Sequence, residues 1–244
     1  MHGITSSPGQ FRQLGELFFA RGYNVYIPRL PRHGYIERLT PDQARLTVAE
    51  FKAYASQTVD TARGLGDHLS VAGLSVSGVL AAWCAQSRPD VDLAVPISPA
   101  FGPYGLPFQL VSPMVKLAKA LPNLFIWWDS GRRAAVGPAC SYPRFSTHAM
   151  AEAFLLGLEV YRAAQSDPPT GKQILVVTNP RDMAVNNRAT RAVVCRWREY
   201  SPSIVREYTF GRDLGPLHDI IGPYQPTART DYVYPILFDQ ITRA

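Results

Sequence analysis

The stretch AGLSVSG at residues 72–78 decides the fold that we predict for this 244-residue chain. A largely apolar run at residues 68–71 indicates a short buried strand, and the residues after Gly78 continue as a helix. Ser75 therefore lies at a strand-to-helix turn. Such a turn exposes its serine only when the flanking residues are small, and Gly73 meets this need two residues earlier. We interpret the stretch as a nucleophile elbow.

The other flank of Ser75 departs from the elbow pattern. Ser77 stands where the pattern expects glycine, although serine is small and Gly78 follows at once. A string of this kind is a weak signal by itself. A reactive elbow also needs a base, an acid and oxyanion donors elsewhere in the chain.

The composition is that of a globular domain and excludes several classes of partner. Hydrophobic residues make up 46% of the chain and charged residues 18%, which argues against disorder. The net charge of +6 comes mostly from arginines scattered singly, whereas a nucleic-acid footprint is clustered on one face. We expect no nucleic-acid partner. The length fits one α/β domain with an insertion.

Cysteine spacing and hydropathy argue against metal sites and membrane spans. The 3 cysteines are far apart and form no CxxC pair, so we expect no disulfide framework and no metal site. Cys84 lies beside Trp83 on an apolar helix, where a buried structural thiol is typical. No run reaches the roughly 18 consecutive apolar residues of a membrane span, and no signal-peptide pattern opens the chain. We therefore predict a cytoplasmic protein.

Strand and helix patterns alternate along most of the chain, which favours a mostly parallel sheet flanked by helices. Thr47 and Glu50 form a capping-box pattern at the start of one helix. Strands are predicted at residues 24–28, 68–71, 91–97, 173–178 and 204–210. Helices are predicted at residues 11–21, 47–64, 79–87, 150–162, 187–198 and 230–242.

The alternation breaks at residues 101–167, where prolines separate short helical patterns. We predict an inserted helical cap here, between core segments at residues 1–100 and 168–244. We expect most apolar cap residues to bury the cap against the body, and the remainder to line an acyl pocket. These residues are Leu106, Phe108, Leu110, Met114, Leu117, Leu121, Leu124, Phe125, Trp127 and Trp128.

Asp182 and His218 are the candidate partners of Ser75. A serine hydroxyl needs a histidine to take its proton and a carboxylate to orient that histidine. Both candidates lie in loops that follow predicted strands, and such loops gather at the carboxyl edge of a parallel sheet. The chain order serine, aspartate, histidine matches the order of the elbow-type triad.

Several alternatives accompany this assignment. Asp182 could instead cap the helix that follows it. Asp219 is a rival carboxylate, although immediate sequence neighbours rarely orient one another's rings, and Asp213 is a weaker rival. We expect His33 to be structural, and His2 to brace a loop instead of transferring protons.

Together these motifs resemble the serine α/β-hydrolases of the carboxylesterase and monoacylglycerol-lipase-like group. The resemblance rests on His-Gly at residues 2–3, the elbow at residues 73–77, Asp-x-x-Val at residues 182–185 and the late His218. It covers essentially the whole chain, although the cap matches only in position and general composition. The resemblance implies an α/β-hydrolase fold.

By the same resemblance, the backbone N–H groups of Ile4 and Val76 form the oxyanion hole. In that fold a strand holds the His-Gly pair inside the sheet, and only Met1 precedes the pair here. We therefore expect the N-terminal strands to be missing and Met1 to be an internal start, with strand borrowing between two copies as a route to a homodimer.

The resemblance implies a cofactor-free serine hydrolase that cleaves carboxylic esters with an apolar, short to medium acyl group through an acyl-enzyme on Ser75. A thioesterase, a monoacylglycerol lipase, a peptidase or a C–C bond hydrolase would use the same triad. A catalytically silent hydrolase-fold protein that binds a small apolar ligand or a partner is the alternative from another class. Labelling by a fluorophosphonate would separate it from the enzymes.

Overall fold

A computed structural model describes residues 1–133 and 137–243 of the chain. Its strands are β1 (Ser70–Leu74), β2 (Leu93–Ile97), β3 (Phe125–Trp127), β4 (Arg144–Ser146), β5 (Ile174–Thr178) and β6 (Val205–Thr209). The main sheet is parallel, in the spatial order β1-β2-β5-β6, and β3 pairs with β4 in a separate antiparallel ribbon.

Seven described α-helices accompany the strands. They are α1 (Gly9–Phe19), α2 (Val48–Arg63), α3 (Val76–Ser87), α4 (Val111–Ala120), α5 (Thr147–Ser166), α6 (Asn187–Tyr200) and α7 (Thr230–Thr242). Helix α2 begins at the predicted capping box, in which Thr47 accepts from the Glu50 N–H and the Glu50 carboxylate accepts from the Thr47 N–H. Helix α3, which follows the elbow, is buried almost all round.

The sheet separates two apolar cores, because alternate strand residues point to opposite faces. On β5, Ile174 and Val176 belong to the core shared with α2, α3, α5 and α6, whereas Leu175 and Val177 belong to the core covered by α1 and α7. Every residue of β2 is buried. The carboxyl ends of the four strands therefore form one fixed edge that can carry a site.

The predicted strand at residues 24–28 is wrong. The described backbone there has no ladder pairing, and Val25 and Tyr26 are exposed. Nearby groups bond to side chains instead: the Tyr54 hydroxyl donates to the Pro28 carbonyl. On the same side of the sheet, Met1 pairs with β1, since the Leu74 N–H donates to its carbonyl oxygen.

The inserted segment contains the antiparallel ribbon β3-β4 besides helix α4, a feature that the sequence patterns did not predict. The expectation that its apolar residues are mostly buried is wrong. Helix α4 buries only the stripe that carries Val111 and Val115, so its other apolar faces stay outside. Five of the ten predicted residues are exposed, namely Leu110, Leu117, Leu121, Leu124 and Trp128, and the other five are half-buried. The boundaries at residues 100 and 167 stay a prediction.

Two further features concern burial. Cys84 is buried as expected, and burial raises the pKa of its thiol to about 12. Of the helices that the structure describes, none combines the length and the apolarity needed to cross a membrane.

Candidate active site

Ser75 lies between the end of β1 and the start of α3 in a strained conformation. Its φ of 61° and ψ of −117° are rare for a residue with a side chain and cost on the order of 1–3 kcal/mol. Two backbone hydrogen bonds hold it there: the Ser75 N–H donates to the Ile97 carbonyl (2.9 Å), and the Ala100 N–H donates to the Ser75 carbonyl (3.0 Å). This strand-to-helix turn has the geometry predicted for the elbow.

The crowding that the sequence predicted around the elbow is present. A Cβ on Gly73 would lie 1.9 Å from the Ser77 carbonyl oxygen, so only glycine fits at this position. A Cβ on Gly78 would lie 2.9 Å from the Ile97 carbonyl oxygen. The turn is thus packed against backbone on both sides of the serine.

Asp182 and His218 are in direct contact at the same edge of the sheet. His218 Nδ1 donates to Asp182 Oδ2 (2.7 Å), and the Asp182 side chain is fully buried. The other carboxylate oxygen accepts from the backbone N–H groups of Ala184 and Val185, which fixes the carboxylate in its loop after β5. The arrangement holds the imidazole with Nδ1 protonated and Nε2 available as a base.

The structure separates Asp182 from the other candidate carboxylates. Asp219 bonds to the Gln10 side chain and the Gly222 N–H instead of His218, and Asp213 lies exposed on a short 3₁₀ turn. The helix that Asp182 could have capped begins with Asn186 as its N-cap.

Within the residues that the structure describes, no hydrogen bond joins Ser75 Oγ to the His218 ring. Catalytic hydrogen bonds are often long in unliganded enzymes and tighten when substrate binds. The structure therefore brings Asp182 and His218 together and puts Ser75 on the neighbouring carboxyl edge of β1.

The loop at residues 2–6, called the N-terminal loop below, holds the Gly3–Ile4 peptide in one orientation. The Gly3 N–H donates to Gln10 Oε1 (2.8 Å), the Gly3 carbonyl accepts from His2 Nδ1 (2.9 Å), and the Ile4 carbonyl contacts His33 Nε2. Among the described residues, no protein acceptor engages the Ile4 N–H, and none engages that of Val76, the first residue of α3. Both amides are available as donors.

His2 and His33 brace this loop and are buried side by side, with ring centroids 5.4 Å apart. Because the Leu30 N–H donates to His2 Nε2, the proton of that ring lies on Nδ1. Burial lowers the pKa of both imidazoles, and that of His2 falls well below its ordinary value. The expectation that both are structural agrees with these contacts.

Asn179 is a buried residue that the sequence analysis missed. Its amide nitrogen donates to the carbonyl oxygens of Gly215 (2.8 Å) and Leu217 (2.7 Å), the second of which directly precedes His218. Its position at the end of β5, three residues before Asp182, is the one sequence signal that could have identified it. The two hydrogen bonds of Asn179 connect the loop that carries Asp182 to the loop that carries His218.

The inserted segment contacts the N-terminal loop directly. Trp128 Nε1 donates to Thr5 Oγ1 (2.8 Å), and the Tyr142 N–H donates to the Thr5 carbonyl (2.8 Å). Phe145 packs on the Trp128 ring, with centroids 4.8 Å apart. Aromatic surface therefore lies one residue from the Ile4 amide.

Besides the candidate active site, the described residues offer no metal site, and they enclose a cavity away from Ser75 and His218. Among the described residues, no group of three or more His, Cys, Asp or Glu side chains could hold a metal ion. A cavity of about 370 Å³ lies beside β1, between α1 and α2, and its lining includes Phe11, Val25 and Val71 but neither Ser75 nor His218. It is separate from the candidate active site.

Comparison with solved structures identifies the fold. One of two metagenome-derived lipolytic enzymes, LipS and LipT, matches 100% of this chain and 91% of its own, with a TM-score of 0.72 and 20% identity. The monoacylglycerol lipase of Paleococcus ferrophilus matches 100% of this chain and 92% of its own, with a TM-score of 0.70 and 18% identity. The chain has the α/β-hydrolase fold. The predicted fold class is confirmed.

A curated relative supports the same group within this α/β-hydrolase fold. The thermostable monoacylglycerol lipase of Bacillus sp. (strain H-257) is 34% identical over 104 residues, which are 41% of this chain. The match spans 39% of that relative's length. No family model matches the chain. The predicted resemblance to the carboxylesterase and monoacylglycerol-lipase-like group is confirmed.

Proposed function

We propose that this α/β-hydrolase is a serine hydrolase that cleaves carboxylic esters with an apolar, short to medium acyl group. The observation that carries the proposal is the bond between the buried Asp182 carboxylate and His218, at the sheet edge where the strained, half-buried Ser75 also lies. The matched lipases and esterases support the ester as the substrate class. The proposed partner is a small-molecule ester.

In the proposed mechanism, Ser75 Oγ attacks the ester carbonyl carbon while His218 Nε2 takes the hydroxyl proton. The negative charge that forms on the carbonyl oxygen accepts hydrogen bonds from the Ile4 and Val76 N–H groups. The C–O bond then breaks, and His218 gives its proton to the leaving alcohol. Water, activated by the same imidazole, releases the acid from Ser75. Asp182 keeps the imidazole oriented throughout.

Aromatic surface near the donors supports an apolar acyl group. Trp128 and Phe145 pack together beside Thr5, next to the proposed donor Ile4. An apolar chain that leaves the carbonyl on this side would be removed from water by these rings. We expect the hydrolysis rate of p-nitrophenyl esters to rise from the acetyl ester to a maximum at short to medium chains. A flat profile would contradict this preference.

A fluorophosphonate probe tests the chemistry itself. We expect it to modify Ser75, and we expect Ser75→Ala to abolish labelling and hydrolysis while leaving the circular dichroism spectrum unchanged. Absence of labelling in folded wild-type protein would favour the silent binding protein instead. We include this alternative in the test because, among the described residues, no hydrogen bond joins Ser75 Oγ to His218.

Monoacylglycerol lipase is the second candidate, and the curated relative of that name favours it. Comparing kcat/KM for a monoacylglycerol and a p-nitrophenyl ester of the same acyl chain would decide between them. The cytoplasmic location and the homodimer stay predictions, which cell fractionation and sedimentation would check.

A further inference from the structure

We propose that Gln10 and Asp219 form a hydrogen-bonded link that positions the N-terminal loop relative to the loop of His218. The inference rests on the proposed function, because that function puts the oxyanion donor Ile4 in the first loop and the base in the second. Gln10 lies at the start of α1 and is 5% exposed. Asp219 directly follows His218.

Both polar atoms of the Gln10 side-chain amide form hydrogen bonds. Its Oε1 accepts from the Gly3 N–H (2.8 Å), and its Nε2 donates to Asp219 Oδ2 (2.8 Å). The Gly3 N–H belongs to the peptide plane that directly precedes the Gly3–Ile4 peptide. The hydrogen bond from Gly3 to Gln10 therefore fixes the peptide plane next to the one that carries the Ile4 N–H. One side chain thereby joins residues that lie 7 and 209 positions away in sequence.

The loop of His218 is built closely around the Asp219 carboxylate. Asp219 Oδ1 accepts from the Gly222 N–H (2.7 Å), and a Cβ on Gly222 would lie 2.2 Å from Asp219 Oδ2. Gln225 adds a longer contact of 3.4 Å. The carboxylate is therefore held from its own loop, and movement of Gln10 is transmitted to the residue beside the base. We class both residues as positioning residues.

Reversing the polarity of the link provides the test. In Gln10→Glu, the introduced carboxylate still accepts from Gly3 but meets the Asp219 carboxylate with a like charge. In Asp219→Asn, the introduced amide has one acceptor for three donors, which are the Gln10 Nε2–H, the Gly222 N–H and the more distant Gln225 Nε2–H. The double variant Gln10→Glu/Asp219→Asn restores the hydrogen bonds to Gly3 and Gly222 and the one between positions 10 and 219, with the donor now at position 219. The 3.4 Å contact from Gln225 alone loses its acceptor.

We expect each single variant to lower kcat by about 10-fold to 100-fold with KM within about 2-fold, because displaced donors and bases act on the transition state. In the double variant, kcat should return to within about 3-fold of the wild-type value. Two control variants make the same chemical changes at exposed positions: Gln13→Glu on helix α1 and Asp213→Asn in the segment before His218. Both should leave kcat unchanged. A double variant no faster than the slower single variant would overturn the proposal.

Nuclear magnetic resonance separates the link from the proposed function. We expect Asp219→Asn to shift the Ile4 amide resonance and Gln10→Glu to shift the His218 ring resonances, with both restored in the double variant. Unmoved remote resonances would refute the link even in an active enzyme. If wild-type protein hydrolyses no ester but these resonances move together, the link holds and the proposed function fails.

Discussion

The Ser77 hydroxyl donates a hydrogen bond of 2.5 Å to the His2 carbonyl oxygen, and both residues are fully buried. Ser77 occupies the elbow position where the pattern expects glycine. The departure from the pattern therefore supplies a donor that glycine lacks, and that donor connects the elbow helix to the N-terminal loop. A residue that weakened the motif in sequence strengthens the arrangement in three dimensions.

We predict that Ser77→Ala lowers the free energy of unfolding by about 1–3 kcal/mol, because it leaves the buried His2 carbonyl without its hydrogen bond. Urea unfolding measures the loss. Ser87→Ala, at the exposed end of the same helix, is the control and should change stability by less than about 0.5 kcal/mol. Equal stabilities for the two variants would show that the hydrogen bond contributes nothing.

Gly73→Ala should destabilise the fold by at least about 3 kcal/mol or prevent folding, since its Cβ would lie 1.9 Å from the Ser77 carbonyl oxygen. Gly66→Ala introduces the same methyl group where no atom lies within 4 Å and should be neutral or mildly stabilising. Thermal unfolding of the two variants provides the comparison. A Gly73→Ala protein as stable as wild type would contradict the packing described for the elbow.

Asp182→Asn should reduce kcat by about 10⁴-fold, because the introduced amide would meet His218 Nδ1 and favour the wrong tautomer. The other oxygen still accepts from Ala184 and Val185, so the unfolding midpoint should change little. Measuring kcat for ester hydrolysis in Asp182→Asn and in Asp213→Asn shows which of the two carboxylates the reaction needs. If the Asp213 variant were the slower enzyme, the assignment of the acid would be wrong.

Stability should fall as pH is lowered below about 6.5. Burial lowers the pKa of His2 and His33 in the folded protein, while in the unfolded chain both titrate near 6.5. Between the two pKa values the unfolded state binds more protons, so each group contributes a slope of up to about 1.4 kcal/mol per pH unit. Above pH 6.5 this stabilisation is complete.

Urea unfolding from about pH 7.5 to about pH 5 measures this slope. His2→Asn should give a shallower dependence, and His33→Asn provides the same reading if the first variant does not fold. His68→Asn, at an exposed position, should reproduce the wild-type curve. A slope that His2→Asn and His33→Asn leave unchanged would assign the pH dependence to other groups.

Local signals in the sequence predicted the regular elements well. The capping box at Thr47 and Glu50 gave the start of α2, and the predicted range of the last helix coincides with α7. Residues 24–28 carry the same kind of apolar pattern, yet strand formation needs a neighbour to supply hydrogen bonds, and a pattern does not report the neighbour. The exposed apolar faces of α4 were missed for the same reason.

The residues of the candidate site also differ in whether a local sequence pattern identifies them. Ser75, Asp182 and His218 were identified because short motifs and chain order carry them, and their catalytic roles stay predictions. Gln10 and Asn179 were not identified, since a buried amide has no local pattern that reveals a partner 209 or 38 residues away. Their roles depend on contacts that only the folded chain creates.

The bond between Gln10 and Asp219 also has a consequence for the timing of synthesis. At about 5–20 residues per second, a ribosome adds the 209 residues from Phe11 to Asp219 in roughly 10–40 s. Throughout this interval the Gln10 side chain of the nascent chain lacks the Asp219 carboxylate to which it donates in the folded protein. The link between the N-terminal loop and the loop of His218 is therefore expected to form only after residue 219 has been synthesised.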